Sequence, residues 1–405
     1  MIRTILQPRW IIDGTGAPPL TDHAVVISGD LVTEVTPVQQ LVRQDNDRVI
    51  DFPESTLIPG LVNNHVHLVL PGDNTPFVPW IDLQSDAALA LMAAYNARTS
   101  LLSGVTTVRD CGGRGTIVID VREAQSSGLI ETARIVSCGW TLTITGGHTR
   151  HFGGEADGED ALRKMVRKAI SQGADYIKVM ASGGGTPGSL SQYPSFTLSE
   201  MRVITETAHS LGRKVSAHCI ALESIVNAIE AGVDLMEHGS FYGTDLLPHF
   251  DRHVAERLAK SNIPVTPTLQ VNRDLVDLLP EGPERALWER RQQTQREIVR
   301  ALNELGVPLL AGSDAGWRAT AFDTVWKEID ELAECGLSPV AAVRAATGAV
   351  CEALGLDDRF GTVQPGKTAD LAVVDGDLSA DVQRLRRVSN VFLAGNMVHS
   401  NPDAC

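Results

Sequence analysis

Between residues 61 and 314, short runs of apolar and β-branched residues alternate with stretches of helical periodicity, and this alternation restricts the fold more than any other feature of the chain. The runs predict strands over Leu61–Leu68, Val105–Asp110, Ala133–Cys138, Tyr176–Met180, Lys214–Cys219, Leu235–Gly239, Pro264–Leu269 and Pro308–Asp314. Apolar residues at helical spacing predict helices over Asp86–Leu102, Gly158–Gln172, Ser199–Leu211, Leu222–Ala231 and Glu284–Leu305. Alternating strand and helix implies an α/β fold with a parallel sheet, and eight strand units within residues 59–358 predict a (β/α)8 TIM barrel. A doubly wound open sheet is the competing arrangement. Against it, no G-x-G-x-x-G opens a helix after the first strand.

The two ends of the chain read differently. Residues 1–58 carry β-type runs punctuated by turn residues, at Trp10–Gly16, Ala24–Asp30 and Leu31–Val35, which predict an antiparallel sheet. Similar runs return only at Ala369–Val374, after Gly361–Lys367, and Asn390–Val398 reads as a hairpin. Both ends are therefore expected to build one smaller β-sandwich domain, residues 1–58 plus 359–405, split by a catalytic barrel at 59–358.

Residues able to do chemistry fall at or near the C-terminal ends of the predicted strands, where barrel active sites form. His65 and His67 are separated by one residue, which on a strand puts both imidazoles on one face. Lys178 lies in strand four, His218 and His238 end strands five and six, and Asp314 ends strand eight. A lone histidine at such a mouth is more often a hydrogen-bonded structural residue. Several imidazoles and a carboxylate converging on one mouth form instead a donor set for divalent metal ions. Asp314 would serve equally as a cap for a following helix, and Cys219, next to His218, should face away from it.

Lys178 fits such a set least well. An ammonium group with a reference pKa of about 10.4 cannot ligate a metal, and burying it among cations is costly. Pairing with an acidic neighbour would explain the lysine taken alone. Among these histidines, addition of carbon dioxide to the amine resolves the conflict, because the resulting carbamate is an anion whose two oxygens can bridge two ions.

The 405 residues include 35 Lys and Arg against 50 Asp and Glu, a formal charge of -15 that argues against a nucleic-acid or anionic-membrane surface. Met1–Arg9 holds no uninterrupted signal-peptide stretch and no later run approaches transmembrane length, so a cytoplasmic enzyme is expected. Cys111, Cys138, Cys219, Cys335, Cys351 and Cys405 form no C-x-x-C pair and read as isolated thiols.

The ordered set His65-x-His67, Lys178, His218, His238 and Asp314, with the split β domain and the closing Pro365–Leu371 segment, resembles the binuclear members of the amidohydrolase superfamily across nearly the whole chain. Ile177–Gly185, Gly146-Gly147-His148 and Glu237-His238-Gly239-Ser240 are similar to the branch containing Xaa-Pro dipeptidases (prolidases) and imidazolonepropionase-like hydrolases. By position, the resemblance implies that His65, His67 and Asp314 hold one divalent ion and His218 and His238 another. Carboxylated Lys178 bridges them, and zinc is the expected ion. It also implies a homo-oligomer. Asn63 stands where many members have Asp, a change expected to alter the support of the ligands rather than the ligands themselves.

The implied reaction is hydrolysis of the amide bond of a small substrate, a dipeptide or N-acyl amino acid, by a metal-bridging hydroxide. Asp314 would pass the proton to the leaving nitrogen. His148, after strand three, and Tyr242, after strand six, are candidate donors to the oxyanion, each equally explained by packing at the mouth; His151 is a weaker rival to His148. Arg114, Arg150, Arg273 and Arg318 are candidate partners for a substrate carboxylate, Asp73 and Glu155 for a basic side chain, and the Gly183–Gly188 loop for close backbone approach to a ligand. Two readings compete: hydrolysis of carbamates, arylureas or lactones at the same centre, and a catalytically inactive binding protein, which would be expected to have lost some of these ligands.

Overall fold

The structure, a computed structural model, describes residues 3–400. In chain order the strands are β1 (Arg3–Ile11), β2 (Leu20–Thr21), β3 (His23–Ser28), β4 (Leu31–Pro37), β5 (Arg48–Pro59), β6 (Leu61–Val66), β7 (Val105–Asp110) and β8 (Arg134–Ser137). They continue as β9 (Ile177–Met180), β10 (Val215–Ala221), β11 (Leu235–Tyr242), β12 (Val265–Thr266), β13 (Leu371–Asp375), β14 (Val388–Leu393) and β15 (Asn396–Ser400).

The chain ends do share one sheet, eight-stranded, with the path β15-β14-β13-β5-β1-β3-β4 and β2 beside β1. The predicted hairpin is β14–β15, turning on Ala394 and Gly395, both at positive φ as a tight hairpin turn requires. The sheet is mixed rather than antiparallel, because β1 and β5 run parallel from Thr4 opposite Arg48 to Ile11 opposite Leu57. Residues 38–47 cross from the β4 edge to the far side of β1, and a crossover of this kind returns the chain in its original direction. Strand alternation sorts the side chains into two faces: Leu6, Val25, Ile27, Leu57, Leu371 and Phe392 form one buried cluster, while Ile5, Ala24 and Val26 pack against Val38, Leu41 and Val49 on the other.

The middle of the chain holds two parallel sheets, β6-β7-β8 and β12-β11-β10-β9. Their edges are joined twice. After β8, Leu142 donates to the Lys178 carbonyl and accepts from Met180 N–H, each at 2.8 Å. On the other side, residues 308–315 bond to β12 through Leu310 N–H to Val265 O (2.9 Å) and to β6 through Asn64 N–H to Ala311 O (3.1 Å), Asp314 N–H to His65 O (2.8 Å) and His67 N–H to Ala315 O (2.7 Å). The run expected as an eighth strand is thus an irregular segment with isolated bridges at Leu309 and Ala315. Its ladder breaks at Asp314, whose φ of 58° lies outside the strand region. β12 is short because Pro264 and Pro267, flanking it, have no N–H to donate.

Helices pack outside these strands with one apolar stripe inward. In the helix Asp86–Leu102, Leu89, Ala93, Ala97 and Leu101 repeat every four residues and are buried, and the Ser85 side chain caps its start by accepting from Ala88 N–H. Leu198–Ser210 opens with a reciprocal capping box between Thr197 and Glu200. No helix among the described residues is long and apolar enough to cross a membrane. Cys111, Cys138, Cys219, Cys335 and Cys351 are buried and free; Cys405 lies outside the described residues.

Buried Glu328, in the helix Trp326–Glu334, makes stability depend on pH. Its Oε2 accepts from Gln270 N–H at 2.7 Å, whereas Oε1 has no partner. Burial pushes its carboxyl up to about 8. A raised folded value means that the group favours folding below its unfolded value of 4.5 and loses that contribution as pH rises toward 8. Glu328→Gln should therefore gain stability relative to the native protein between pH 5.5 and 8.5, by roughly 3 kcal/mol. Urea midpoints at the two pH values test this, and a gap independent of pH would contradict it.

Candidate metal centre

β6 delivers His65 and His67 to one face, with ring centroids 5.4 Å apart. Each has Nδ1 engaged away from the centre: His65 with Glu237 Oε2 at 2.8 Å and His67 with the Gly112 carbonyl at 2.9 Å. A carbonyl oxygen only accepts, so His67 carries its proton on Nδ1 and leaves Nε2 bare. Both Nε2 atoms lie 3.4 Å from Asp314 Oδ1. His65, His67 and Asp314 together form a buried group that could hold a metal ion.

Asn63 ties the two segments of this triad together. Its Nδ2 donates to Ser313 Oγ (2.7 Å) while its Oδ1 accepts from Ser313 N–H (3.0 Å), fixing the residue before Asp314 to the strand that carries the histidines. Gly312 is required at this junction, since a Cβ there would lie 2.8 Å from His65 N. Burial opposes ionisation of Asp314, yet His65 and His67 hold its carboxyl well below the usual carboxylate range.

β10 and β11 bring His218 and His238 to 4.5 Å between centroids, and His238 is 5.2 Å from His65, so the two pairs are contiguous. His218 Nε2 faces the Gly183 carbonyl at 3.2 Å and His238 Nδ1 faces Thr268 Oγ1 at 2.7 Å, leaving one ring nitrogen of each for the centre. Burial first, and the adjoining ionisable groups second (His238 for His218, His65 for His238), push His218 well below the ordinary imidazole value and His238 down to about 3. Both stay neutral, with lone pairs available for a cation. Cys219 points the other way, its thiol toward the Ser224 carbonyl.

Lys178 on β9 is 1% exposed and its Nζ has no hydrogen-bond partner; the nearest carboxylate oxygen, on Glu237, is 3.9 Å away. Asp314 Oδ1 is likewise buried and unpartnered. Two orphaned polar atoms beside these four imidazoles are unfavourable in isolation. They fit a centre completed by divalent cations.

The sequence reading missed Glu237. It lies between His65 (2.8 Å), the Arg109 guanidinium (2.7 Å) and Ser216 Oγ (2.5 Å), wholly buried. Strand alternation would send Glu237 and His238 to opposite faces, yet both reach His65, because His238 at φ 66° turns back toward the centre. An acidic residue inside the apolar run Leu235-Met236-Glu237 was the available signal. His65, Cys111 and Glu237 form a second group within metal-ligand spacing, but an ion there would compete with Arg109 for the same carboxylate. Glu237 instead orients His65 from behind. Glu237→Gln is expected to weaken metal affinity about 10- to 100-fold, measured by competition with a chromogenic chelator; unchanged affinity would remove that role.

A cavity of about 220 Å³ opens above these residues, bordered by His148, Gly184, Tyr242, Trp317 and Arg318 among others. His148 is buried, its ring centroid 4.8 Å from that of His218, and a Cβ at Gly184 would collide with its ring at 2.5 Å. Thr186 N–H donates to His148 Nδ1 at 3.3 Å, so Nε2 bears the proton. Burial first, with the neighbouring imidazoles adding to it, holds His148 well below the ordinary imidazole value, so this ring is neutral. His151 is turned away, against Asp82 at 2.9 Å. Arg114 is held by Asp86, Arg273 by Asp330 and Glu331, and Arg150 by the Pro187 carbonyl. Asp73 and Glu155 bond to backbone N–H groups of Thr75 and Gly146 and do not line the cavity.

The whole chain is similar to solved hydrolases. A Xaa-Pro dipeptidase with methionine bound in its active site matches with a TM-score of 0.87 at 26% identity, covering 98% of this chain and 100% of that one. A prolidase complexed with N-methylphosphonate-L-proline matches with a TM-score of 0.85 at 28% identity, with the same coverage. An ochratoxinase from Aspergillus niger is 26% identical over 434 residues, 97% of this chain and 86% of the relative. The description "Amidohydrolase family" fits residues 56–398, and with these relatives beside the geometry above, the chain belongs to that family as a hydrolase acting on carbon–nitrogen bonds.

Proposed function

We propose that this protein hydrolyses the amide bond of a small substrate, a dipeptide or an N-acyl amino acid, at a centre built for two divalent ions. The observation that carries the reading is the pair of buried, unpartnered atoms, Lys178 Nζ and Asp314 Oδ1, set among His65, His67, His218 and His238 in one cavity. His65, His67 and Asp314 would hold one ion, His218 and His238 the other, and Lys178, carboxylated by carbon dioxide with loss of a proton, would supply anionic oxygen donors to the centre. Zinc suits these nitrogen and oxygen donors. The scaffold in this reading is a (β/α)8 barrel over residues 59–358, supported by the 308–315 and 142–180 hydrogen bonds, beside a smaller β domain from residues 1–58 and 359–405 whose strands form one sheet rather than the two of a β-sandwich.

Two such ions, when bound, supply a nucleophilic hydroxide at neutral pH and polarise the scissile carbonyl. Asp314 accepts the nucleophile's proton on its carboxylate and returns it to the departing nitrogen, which would otherwise leave as a poor amide anion. His148, neutral and protonated on Nε2, donates to the oxygen on which negative charge develops. Tyr242 borders the same cavity as a second donor. All the donors predicted for the centre are present, which disfavours an inert binding protein.

The test is a panel of dipeptides, N-acyl amino acids, aryl carbamates and arylureas, assayed with metal-replete protein of measured metal content. Turnover of amides with two ions per chain is expected. Turnover of carbamates or ureas alone would move the substrate class, and fewer than two ions would end the binuclear reading.

A further inference from the structure

We infer that Arg291 and Arg318, flanking Trp288 at the outer end of the cavity, form a binding site for a free carboxylate on the substrate. The inference deepens the amide-hydrolase reading and rests on it only for the identity of the substrate. On the helix Pro283–Glu304, Trp288, Arg291 and Gln295 recur at helical spacing, and all three line the cavity. Gln295 anchors this face by donating to the Ser240 carbonyl at 3.0 Å. Arg318 comes from the opposite wall, four residues beyond Asp314. Its backbone is held in the left-handed region at φ 53°, and its carbonyl accepts from Asn74 N–H at 3.1 Å. A non-glycine residue kept in that region is held there by its surroundings. The two guanidinium carbons lie 4.8 and 5.0 Å from the Trp288 ring centroid.

Neither arginine has a carboxylate within 4.0 Å among the described residues, whereas Arg114 and Arg273, also considered as carboxylate partners, are neutralised in this way. Arg291 Nε is buried without a partner, and its Nη2 reaches only the Leu246 carbonyl at 3.5 Å. Burial lowers the Arg318 value, with the charges of Asp314 and Glu284 opposing it at longer range. Two half-buried cations sharing one indole repel each other and lack a counterion; an anion between them would satisfy both. A carboxylate suits the planar fork of a guanidinium. The Tyr242 hydroxyl lies within the field of both arginines and offers a third donor. Neutral carbamates and ureas would leave the pair uncompensated, so the site selects for substrates with an acid group.

The experiment is calorimetry on the metal-replete full-length protein with N-methanesulfonyl-L-leucine, whose sulfonamide offers no carbonyl to attack, and its uncharged analogue N-methanesulfonyl-L-leucinamide. The native protein should bind the acid about tenfold or more tighter than the amide. Arg318→Met with Arg291→Met should abolish that preference while leaving amide binding within about twofold, and Arg318→Lys, which keeps charge but not the fork, should retain part of it. No binding of the acid, equal binding of acid and amide by the native protein, or a preference that survives the double substitution would each overturn the proposal; survival would assign the carboxylate to the metal centre. Because binding needs no turnover, a protein that prefers the acid yet hydrolyses no amide would refute the activity alone. A hydrolase indifferent to the acid group would refute this site alone.

Discussion

Lys178→Met is expected to lower amide hydrolysis by about 10³-fold or more, a loss of several kcal/mol of transition-state stabilisation. It should also reduce bound metal below two ions per chain. Methionine keeps the length of the side chain and removes the amine, so the proposed carbamate cannot form. The same substitution separates this role from an ordinary buried ion pair. Lys178 Nζ makes no hydrogen bond and stands 3.9 Å from Glu237, which is already engaged by Arg109, His65 and Ser216. Removing a buried amine that makes no hydrogen bond should leave the metal-free protein no less stable than the native one. Metal analysis, activity and metal-free melting are the three readouts. Substantial destabilisation with metal content and activity retained would identify a structural lysine.

Asp314→Asn, nearly isosteric, should lower kcat by about 10²- to 10⁴-fold, the usual range for loss of a general acid–base group. KM should change far less. The carboxylate is fixed by the left-handed backbone at φ 58° and by the Asn63–Ser313 pair, neither of which the substitution disturbs. In the proposed reading its charge would also help hold an ion at His65 and His67, so metal content must be measured alongside rate. A variant with two ions and unchanged kcat would remove Asp314 from proton transfer. An effect confined to KM would make it a binding residue.

His65, His67, Lys178, His218, His238 and Asp314 were legible as one group because each sits at a predictable place on a short apolar run, and the structure brings them around one cavity. Two departures came from backbone geometry that alternation rules do not encode. The positive φ at His238 lets adjacent residues face the same site, which hid Glu237. The positive φ at Asp314 takes the last residue of the expected eighth strand out of the strand region and aims its carboxylate at the histidines. Arg291 was passed over because it lies inside the predicted helix Glu284–Leu305 rather than in a mouth loop, whereas Arg114 and Arg273 looked available until their acidic partners came into view.

Local periodicity thus determined the strand–helix alternation, the shared sheet of the two chain ends and the metal-type donor set, since period and residue chemistry are properties of the chain itself. Tertiary structure alone decided which charges are compensated. Arg109 and Arg273 found carboxylates, while Lys178, Arg291 and Arg318 are left without one in hydrogen-bond contact. Compensation depends on distances of 3 to 4 Å between residues remote in sequence, and closing the chain on itself is what sets those distances.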